Sequence, residues 1–549
     1  MVSQKVHLSC SEQDCAATSS LRKVGAARRA ARYRATRRVA PTIGFARLAI
    51  ETIVPLTFYE IVMIDMSPKG ERIMGAQKIT IEPITRIEGH GRVTIHLDEQ
   101  GQVEKTFFHV DEFRGLEKFS EGRPYFEMTQ ITQRICGICP VSHHLASAKA
   151  CDGVARVDPP RPAKLLRELL HMGQMVQSHG MHFFYLAAPD LVFGFDADPA
   201  TRNVFGIIQA DPQLALKAVH LRRFGQQIIQ RLGGKRVHPN FAVPGGVNAP
   251  LNPKDREAIA SELGAMVEIA KVAVGIGKGW LEANKDLASS FASFPSNYMG
   301  MVDMEGGLQL YDGEIRVKDA EGKFVAQFKP EHYLSHVAEH VESWSFLKFP
   351  YYRKLGWPKG TYRVGPLGRM NVADKIGTPL ANEEFKLFKQ INGGKPVEGS
   401  LFYHYARLIE LVYALERIGQ LLDDPDITSN DIRAYPPITN VPGQGVGVIE
   451  APRGTLFHDY STDENGQLTR TNLIVATGNN NWAMHTASGL VAKAFVDGNK
   501  LTEGMLNRVE AAIRCYDPCL SCATHAMGQM PLEITLLAAD GTVLDRISR

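Results

Sequence analysis

Two Cys-x-x-Cys pairs constrain this 549-residue chain more than any other feature. Near one end stands Arg134-Ile135-Cys136-Gly137-Ile138-Cys139-Pro140-Val141-Ser142-His143, and near the other Asp517-Pro518-Cys519-Leu520-Ser521-Cys522-Ala523-Thr524-His525. Two residues between cysteines let both sulfurs converge on one centre from a single turn, and the small Gly137 keeps the first turn compact. Four thiolates are soft ligands, of the kind taken by zinc, iron–sulfur clusters, copper(I) and low-coordinate nickel or iron. A structural zinc ribbon would place its pairs about 15–20 residues apart, whereas Cys522 follows Cys139 by 383 positions. A fold that joins these pairs gathers both ends of the chain into its interior, which favours a catalytic centre. On ligand count alone a cubane cluster stays open.

The other cysteines, Cys10, Cys15, Cys151 and Cys515, complete a sparse set of eight. Such clumped usage suits metal or redox chemistry in a reducing compartment better than a disulfide framework. The formal net charge of +3 is uneven: residues 1–73 hold 12 Lys/Arg against 6 Asp/Glu, so the remaining 476 hold 50 against 53. Basicity confined to one end does not give the clustered footprint of a nucleic-acid binder. Arg22 to Arg38 contains eight basic residues and no acid, a composition compatible with a basic helix or a transit peptide. The apolar stretch from Pro41 to Met66 is broken by Arg47, Glu51 and Glu60, short of the roughly 18–20 uncharged residues of a membrane span. It also lacks the order of a secretory signal. The expectation is that residues 1–73 are a dispensable extension or are never translated, with Met63, Met66 and Met74 as alternative starts.

Patterning begins at Gln77. Ile79-Thr80-Ile81, Arg92 to Leu97 and Val103 to Val110 alternate around a turn at Asp98–Gly101 and predict a small antiparallel sheet. Lys164–Leu186 and Lys254–Lys285 are helical in period, the first expected to stop before Pro189. Leu408, Leu411, Val412, Leu415, Ile418 and Leu422 form a helical stripe closed by Asp424-Pro425. Residues 308–329 predict a peripheral hairpin around Asp312-Gly313 and Glu321-Gly322. A helix over Thr502–Cys515 should end at Asp517-Pro518, and Leu532–Ile547 predicts a last hairpin around Asp540-Gly541. The fold class is α+β, predominantly helical, as one large domain with small sheets.

The paired motifs Arg-x-Cys-Gly-x-Cys-x-x-x-His and Asp-Pro-Cys-x-x-Cys-x-x-His resemble the large subunit of nickel–iron hydrogenases. Further marks of that family are Arg86-Ile87-Glu88-Gly89-His90, Phe113-Arg114-Gly115-Leu116-Glu117 and Glu450-Ala451-Pro452-Arg453-Gly454. The wording Cys-Pro-Val-Ser-His-His, Tyr362-Arg363-Val364-Gly365-Pro366-Leu367 and Ala523 to Pro531 is similar to the cytoplasmic, bidirectional, NAD-linked branch. The resemblance spans residue 78 to the C-terminus and implies a catalytic domain over 74–525.

What it implies for single residues follows motif position. Nickel would be held by Cys136, Cys139, Cys519 and Cys522, with Cys136 and Cys519 terminal and Cys139 and Cys522 shared with an iron that carries carbon monoxide and cyanide. Dihydrogen is a very weak acid, so its heterolysis needs a base within ångströms, and a terminal Cys519 thiolate is suited to that. Glu88 would relay the proton; without the motif it reads as a strand-end partner of Arg86. Arg453 would project over the metals and hold cyanide by hydrogen bonding; a Pro-Arg-Gly turn is otherwise often a surface arginine. His143 would bond a shared sulfur, although His144 adjoins it and a lone His is often just a core residue. Thr477 would donate to cyanide. Glu117 and His525 would bind a separate magnesium or iron(II) ion. Where many uptake enzymes carry an acid before the residue matching His179, this chain has Ser178, which leaves Asp517 as the nearer partner for Arg453.

Family precursors are cut after the His of the second motif. Ala526–Arg549 therefore reads as a propeptide for a maturation endopeptidase, and its presence speaks for an enzyme over a hydrogen sensor. A sensor, a hydrogenase with another acceptor, and the cysteine-free quinone-site subunit of respiratory complex I are the competing readings. No Gly-x-Gly-x-x-Gly follows a strand, and no further cysteine cluster provides an iron–sulfur wire. Electrons would thus leave through a small subunit carrying iron–sulfur clusters, to diaphorase subunits with flavin and NAD. No nucleic-acid partner and no membrane span are expected, and the expected location is the cytoplasm.

Overall fold

The computed structural model describes residues 78–110, 115–435 and 442–523, together with the backbone of strands Glu533–Leu537 and Val543–Ser548. The N-terminal extension and His525 lie outside the described residues. The body opens with β1 (Lys78–Ile81), β2 (Arg92–Leu97) and β3 (Val103–His109), an antiparallel sheet in that order. Alternation places Val93, Ile95 and Leu97 in the core, as period-two patterning requires.

A short 3-10 turn, Thr132–Ile135, delivers Cys136 in extended backbone. Helix α1 (Pro140–Ala155) starts directly behind Cys139, with Pro140 in its first turn, where the missing N–H costs no helical bond. Helix α2 (Arg161–Met181) follows. Here the expected stop before Pro189 is not observed. A π-helical turn, His182–Ala187, passes straight into α3 (Ala188–Phe193), whose first turn contains Pro189. The π turn shifts the carbonyl ladder just ahead of Pro189, where a regular α-helix would meet the proline ring and its missing N–H. The wider turn also brings Asp190 onto Arg86 and Arg514, at 2.5 Å each.

Helices α4 (Pro212–Gly233) and α5 (Pro253–Ala283) enclose α2 and the later helix Phe402–Asp423. Strands β4 (Asn297–Val302), β5 (Glu314–Lys318), β6 (Phe324–Phe328) and β7 (Tyr362–Arg363) form one sheet in the order β7-β4-β5-β6. The peripheral hairpin expected over 308–329 is thus part of something larger. β5 and β6 do turn at Glu321-Gly322, but Asp312-Gly313 links them to β4, which is buried along its whole length and pairs in parallel with β7. A strand covered on both faces shows no alternation, so its pattern gives no strand signal.

Helix α6 (Gly365–Val372) leads to α7 (Phe402–Asp423), the centre of the body. Its predicted leucine stripe is buried, and so are His404, Arg407 and Glu410. Strands β8 (Gln444–Ala451), β9 (Gly454–Thr462) and β10 (Leu468–Ile474) make a second antiparallel sheet. After α8 (Asn481–Phe495) and α9 (Glu503–Arg514), the chain turns at Asp517-Pro518 into the short α10 (Leu520–Ala523). Strands Glu533–Leu537 and Val543–Ser548 pair with each other as an antiparallel hairpin. Among the described residues no helix is long and apolar enough to cross a membrane.

Helix α1 lies directly on β8, and glycine makes that approach possible. A Cβ added to Gly445 would fall 2.0 Å from the Ala150 carbonyl oxygen, and one on Gly447 1.9 Å from that of Ala146. Gly447→Ala is therefore expected to force helix and strand apart and to destabilise the chain by about 1–3 kcal/mol. A lowered thermal or urea midpoint would register this; an unchanged midpoint would contradict the packing.

Candidate metal centre

The four cysteines meet. Their Sγ atoms all lie within 4.8 Å of one another, and all four residues are buried and free of disulfides. Cys136 is 2.9 Å from Cys139 and 3.2 Å from Cys519; Cys522 is 2.9 Å from Cys519 and 3.8 Å from Cys139. With metal–sulfur bonds of about 2.3 Å, sulfurs on one centre stand roughly 3–4 Å apart, so the spacing fits a shared metal site. The two chain ends are laced together here: Leu520 N–H donates to the Glu88 carbonyl at 2.9 Å, and Glu88 N–H to that of Pro518 at 3.4 Å. Asp517 enters the second motif with φ of +52°, in the left-handed region that Asp tolerates better than most residues.

Unequal acidity among the thiols also suits a metal. Burial opposes ionisation of Cys136, but hydrogen bonds from Cys139, Cys519 and Cys522, with the nearby Arg453 charge, hold it well below the usual thiol range. Burial then pushes Cys519 and Cys522 well above that range. A buried group of thiols gives up its protons together only to a cation that replaces them.

Arg453 stands beside them, 2% exposed, on the turn between β8 and β9. Its Nε donates to the Asp517 carbonyl at 2.5 Å and its Nη2 to Asp517 Oδ1 at 3.0 Å. Burial works against the guanidinium charge, yet Asp517 and the neighbouring cysteines hold it firmly cationic. Burial pushes the Asp517 carboxyl up, against the pull of Arg453 and Arg407. Two buried atoms of this pair, Arg453 Nη1 and Asp517 Oδ2, have no hydrogen-bond partner, an arrangement proteins seldom leave. Arg453 lines a cavity of about 10 Å³ with Cys139, Cys522, Ala476 and Thr477, room for roughly one water-sized molecule. An unsatisfied donor lining a closed cavity beside the thiols fits small acceptor ligands on a metal.

Glu88 does not pair with Arg86, which is taken by Asp190. Its carboxylate accepts from Ser521 Oγ at 2.6 Å and Ser521 N–H at 3.2 Å, and the residue is half-buried, between the thiols and the surface. Thr477 Oγ1 accepts from Cys519 N–H at 3.1 Å, which leaves its own hydrogen to donate. His143 Nε2 lies 3.5 Å from Cys522 Sγ and its Nδ1 3.3 Å from His458 Nε2. His144 turns away, to the Thr129 carbonyl and Ala242 N–H, and plays no part at the sulfurs. Ser178 is buried with its hydroxyl unpartnered, and His179 bonds Glu410 at 3.0 Å. Glu117 sits on the helix Leu116–Ser120; its expected co-ligand His525 is outside the described residues.

Several site residues carry no motif signal. Arg369 on α6 uses all five N–H donors: it takes Glu410 through Nε and Nη2 at 2.6 Å each, Glu450 at 2.7 Å, and the carbonyls of Ala451 at 2.8 Å and Pro452 at 3.2 Å. It thereby clamps the turn that presents Arg453. His458 and Tyr460, on β9 beyond Thr455, extend the contact of His143. A usable signal existed for α7, where His404, Arg407 and Glu410 recur every three residues among apolar neighbours.

The family model described as nickel-dependent hydrogenase matches residues 114–204 and 296–525, and a HoxL-like model matches residues 78–113. The chain is 42% identical over 489 residues to the NAD-reducing hydrogenase HoxS subunit beta of Cupriavidus necator, covering 86% of this chain and 100% of that one. It is also 42% identical over 478 residues to an F420-non-reducing hydrogenase subunit from Methanothermobacter thermautotrophicus, again covering 86% and 100%. The crystal structure of an NAD+-reducing [NiFe]-hydrogenase in the H2-reduced state superposes with a TM-score of 0.79 at 44% identity, covering 82% of this chain and 99% of that chain.

Proposed function

The chain belongs to the nickel-dependent hydrogenase family, and from that premise we propose that it is the hydrogen-activating large subunit of a cytoplasmic nickel–iron hydrogenase that delivers electrons to NAD. The observation that carries the reading is the closed set of four thiols under an arginine with an unsatisfied N–H. Cys136, Cys139, Cys519 and Cys522 would hold nickel and an iron bearing carbon monoxide and cyanide, which together supply the electron-accepting centre for heterolysis. Cys519 Sγ, buried and removed from bulk water, holds the released proton at the sulfur. Glu88, paired through its backbone with Pro518 and Leu520 on either side of Cys519, receives that proton and carries it toward the surface. Arg453 Nη1 and the Thr477 hydroxyl would be the donors available to cyanide, and Asp517 keeps Arg453 in place. Glu117 and His525 would hold a magnesium or iron(II) ion.

Electrons leave to a small subunit with iron–sulfur clusters and from there to diaphorase subunits carrying flavin; a maturation endopeptidase would remove Ala526–Arg549. The names of the C. necator relative and the NAD+-reducing structure support the NAD acceptor. Equal identity to the F420-non-reducing enzyme makes another acceptor the second reading. The test is to purify the complex, measure nickel and iron, and assay hydrogen-dependent reduction of NAD, NADP and a viologen dye. Reduction of NAD is expected; viologen reduction alone would select the second reading, and a complex devoid of nickel would refute both. Glu88→Gln, which keeps the Ser521 contacts but cannot carry a proton as a carboxylate, is expected to lower hydrogen turnover about 10²–10⁴-fold with nickel and iron contents unchanged. Undiminished turnover would remove Glu88 from the proton route.

A further inference from the structure

Behind the shared contact of His143 with Cys522 runs a line of buried side chains. His143 Nδ1 faces His458 Nε2 at 3.3 Å, His458 Nδ1 faces the Tyr460 hydroxyl at 2.6 Å, and that hydroxyl donates to Ser147 Oγ at 3.0 Å. All four residues are at most 2% exposed. We propose that His458 and Tyr460 are positioning residues, which aim His143 at Cys522 through a hydrogen-bond chain able to run in either direction.

A neutral imidazole has one N–H and one bare nitrogen, so each ring passes on the polarity it receives. With Tyr460 donating to Ser147, its oxygen accepts from His458 Nδ1–H. His458 Nε2 is then bare and accepts from His143 Nδ1–H, and His143 presents a bare Nε2 to Cys522. That order matches a thiol, which can donate to it. A cysteine that binds metal is a thiolate and can only accept. His143 must then carry its hydrogen on Nε2 and accept at Nδ1, His458 must do likewise, and Tyr460 must donate into His458 while Ser147 donates to Tyr460. Every side chain in the line stays neutral in both orders. The single proton that separates the two orders is the one Cys522 loses on taking a metal. Phenol and hydroxyl reverse by rotation and both rings by exchange of tautomer, so the line can meet either form of Cys522 without placing a charge in the interior, where an unpaired charge is costly. Tyr460 is the essential terminus, because it both accepts from and donates to the ring beside it.

This inference rests on the proposed centre, and its test separates the two. The intact complex is prepared with wild-type chain, Tyr460→Phe and His458→Gln; nickel and iron are quantified, and infrared bands of the iron's diatomic ligands are recorded. Wild-type complex without such bands would refute the centre itself. With bands present, Y460F, which removes only the hydroxyl, is expected to retain metal while its bands shift and broaden, with turnover about 10-fold lower, the smaller end of losses caused by residues that orient a ligand. H458Q can still donate on one side and accept on the other and is expected to keep bands near the wild-type positions. Unshifted bands in metal-loaded Y460F, or a folded Y460F that fails to retain nickel, would overturn the proposal, because the phenol would then serve only as packing.

Discussion

A Cys519→Ser chain is expected to assemble with its partners but to purify without nickel and with hydrogen turnover reduced by more than about 100-fold, the upper end of what even a residue outside the ligand set costs. The reason lies in the sulfur geometry. Cys519 lies 3.2 Å from Cys136 and 2.9 Å from Cys522, so it joins the two pairs. A serine hydroxyl there is harder than a thiolate, far less acidic, and matched to other metals. The fold should tolerate the change, since the residue is small and its backbone pairing with Glu88 needs no sulfur. Nickel analysis on the purified complex decides it. Full nickel occupancy in the serine variant would mean that the four thiols are not the ligand set.

Arg453→Lys separates holding the metal from using it. The ligands are untouched, so nickel should remain. The planar fork is lost, however, and one ammonium cannot reach both Asp517 acceptors while also offering a hydrogen to the cavity. Removing one fixed donor from a site where charge develops costs about 10²–10³-fold in kcat, and that loss is expected here per nickel atom. Asp517→Asn serves as the contrast. It leaves the buried guanidinium without its counter-charge, so it should chiefly destabilise the protein, by about 3–5 kcal/mol. Wild-type turnover in nickel-loaded R453K would show that Arg453 only ties the β8–β9 turn to Asp517.

Much of this site was legible because its cysteines carry their chemistry in spacing. Two Cys-x-x-Cys turns leave few ways to place four sulfurs, and the structure gathers them as that spacing requires. The small N-terminal sheet and the long helices follow from periods of two and about 3.6 residues. What escaped the sequence has a common cause: several elements contribute single residues to one buried cluster. Arg369 on α6, Glu410 on α7 and Glu450 on β8 are separately unremarkable, and only their meeting makes a clamp. β4 shows no alternation because both of its faces are covered. The helix expected to end before Pro189 continues because a π turn just ahead of it accommodates the proline.

The lacing of Glu88 to the second cysteine motif also sets an order of events. Glu88 and Ser521, 433 positions apart, share a carboxylate–hydroxyl bond at this centre. A nascent chain leaves the ribosome from its N-terminus, so Cys136 and Cys139 emerge long before their partners exist. The four thiols are together only when the chain has been made through Cys522. A ribosome that stops early thus releases a product with only one of the two thiol pairs. The completed cluster of thiols is thereby a report that the chain has been read through to its second motif.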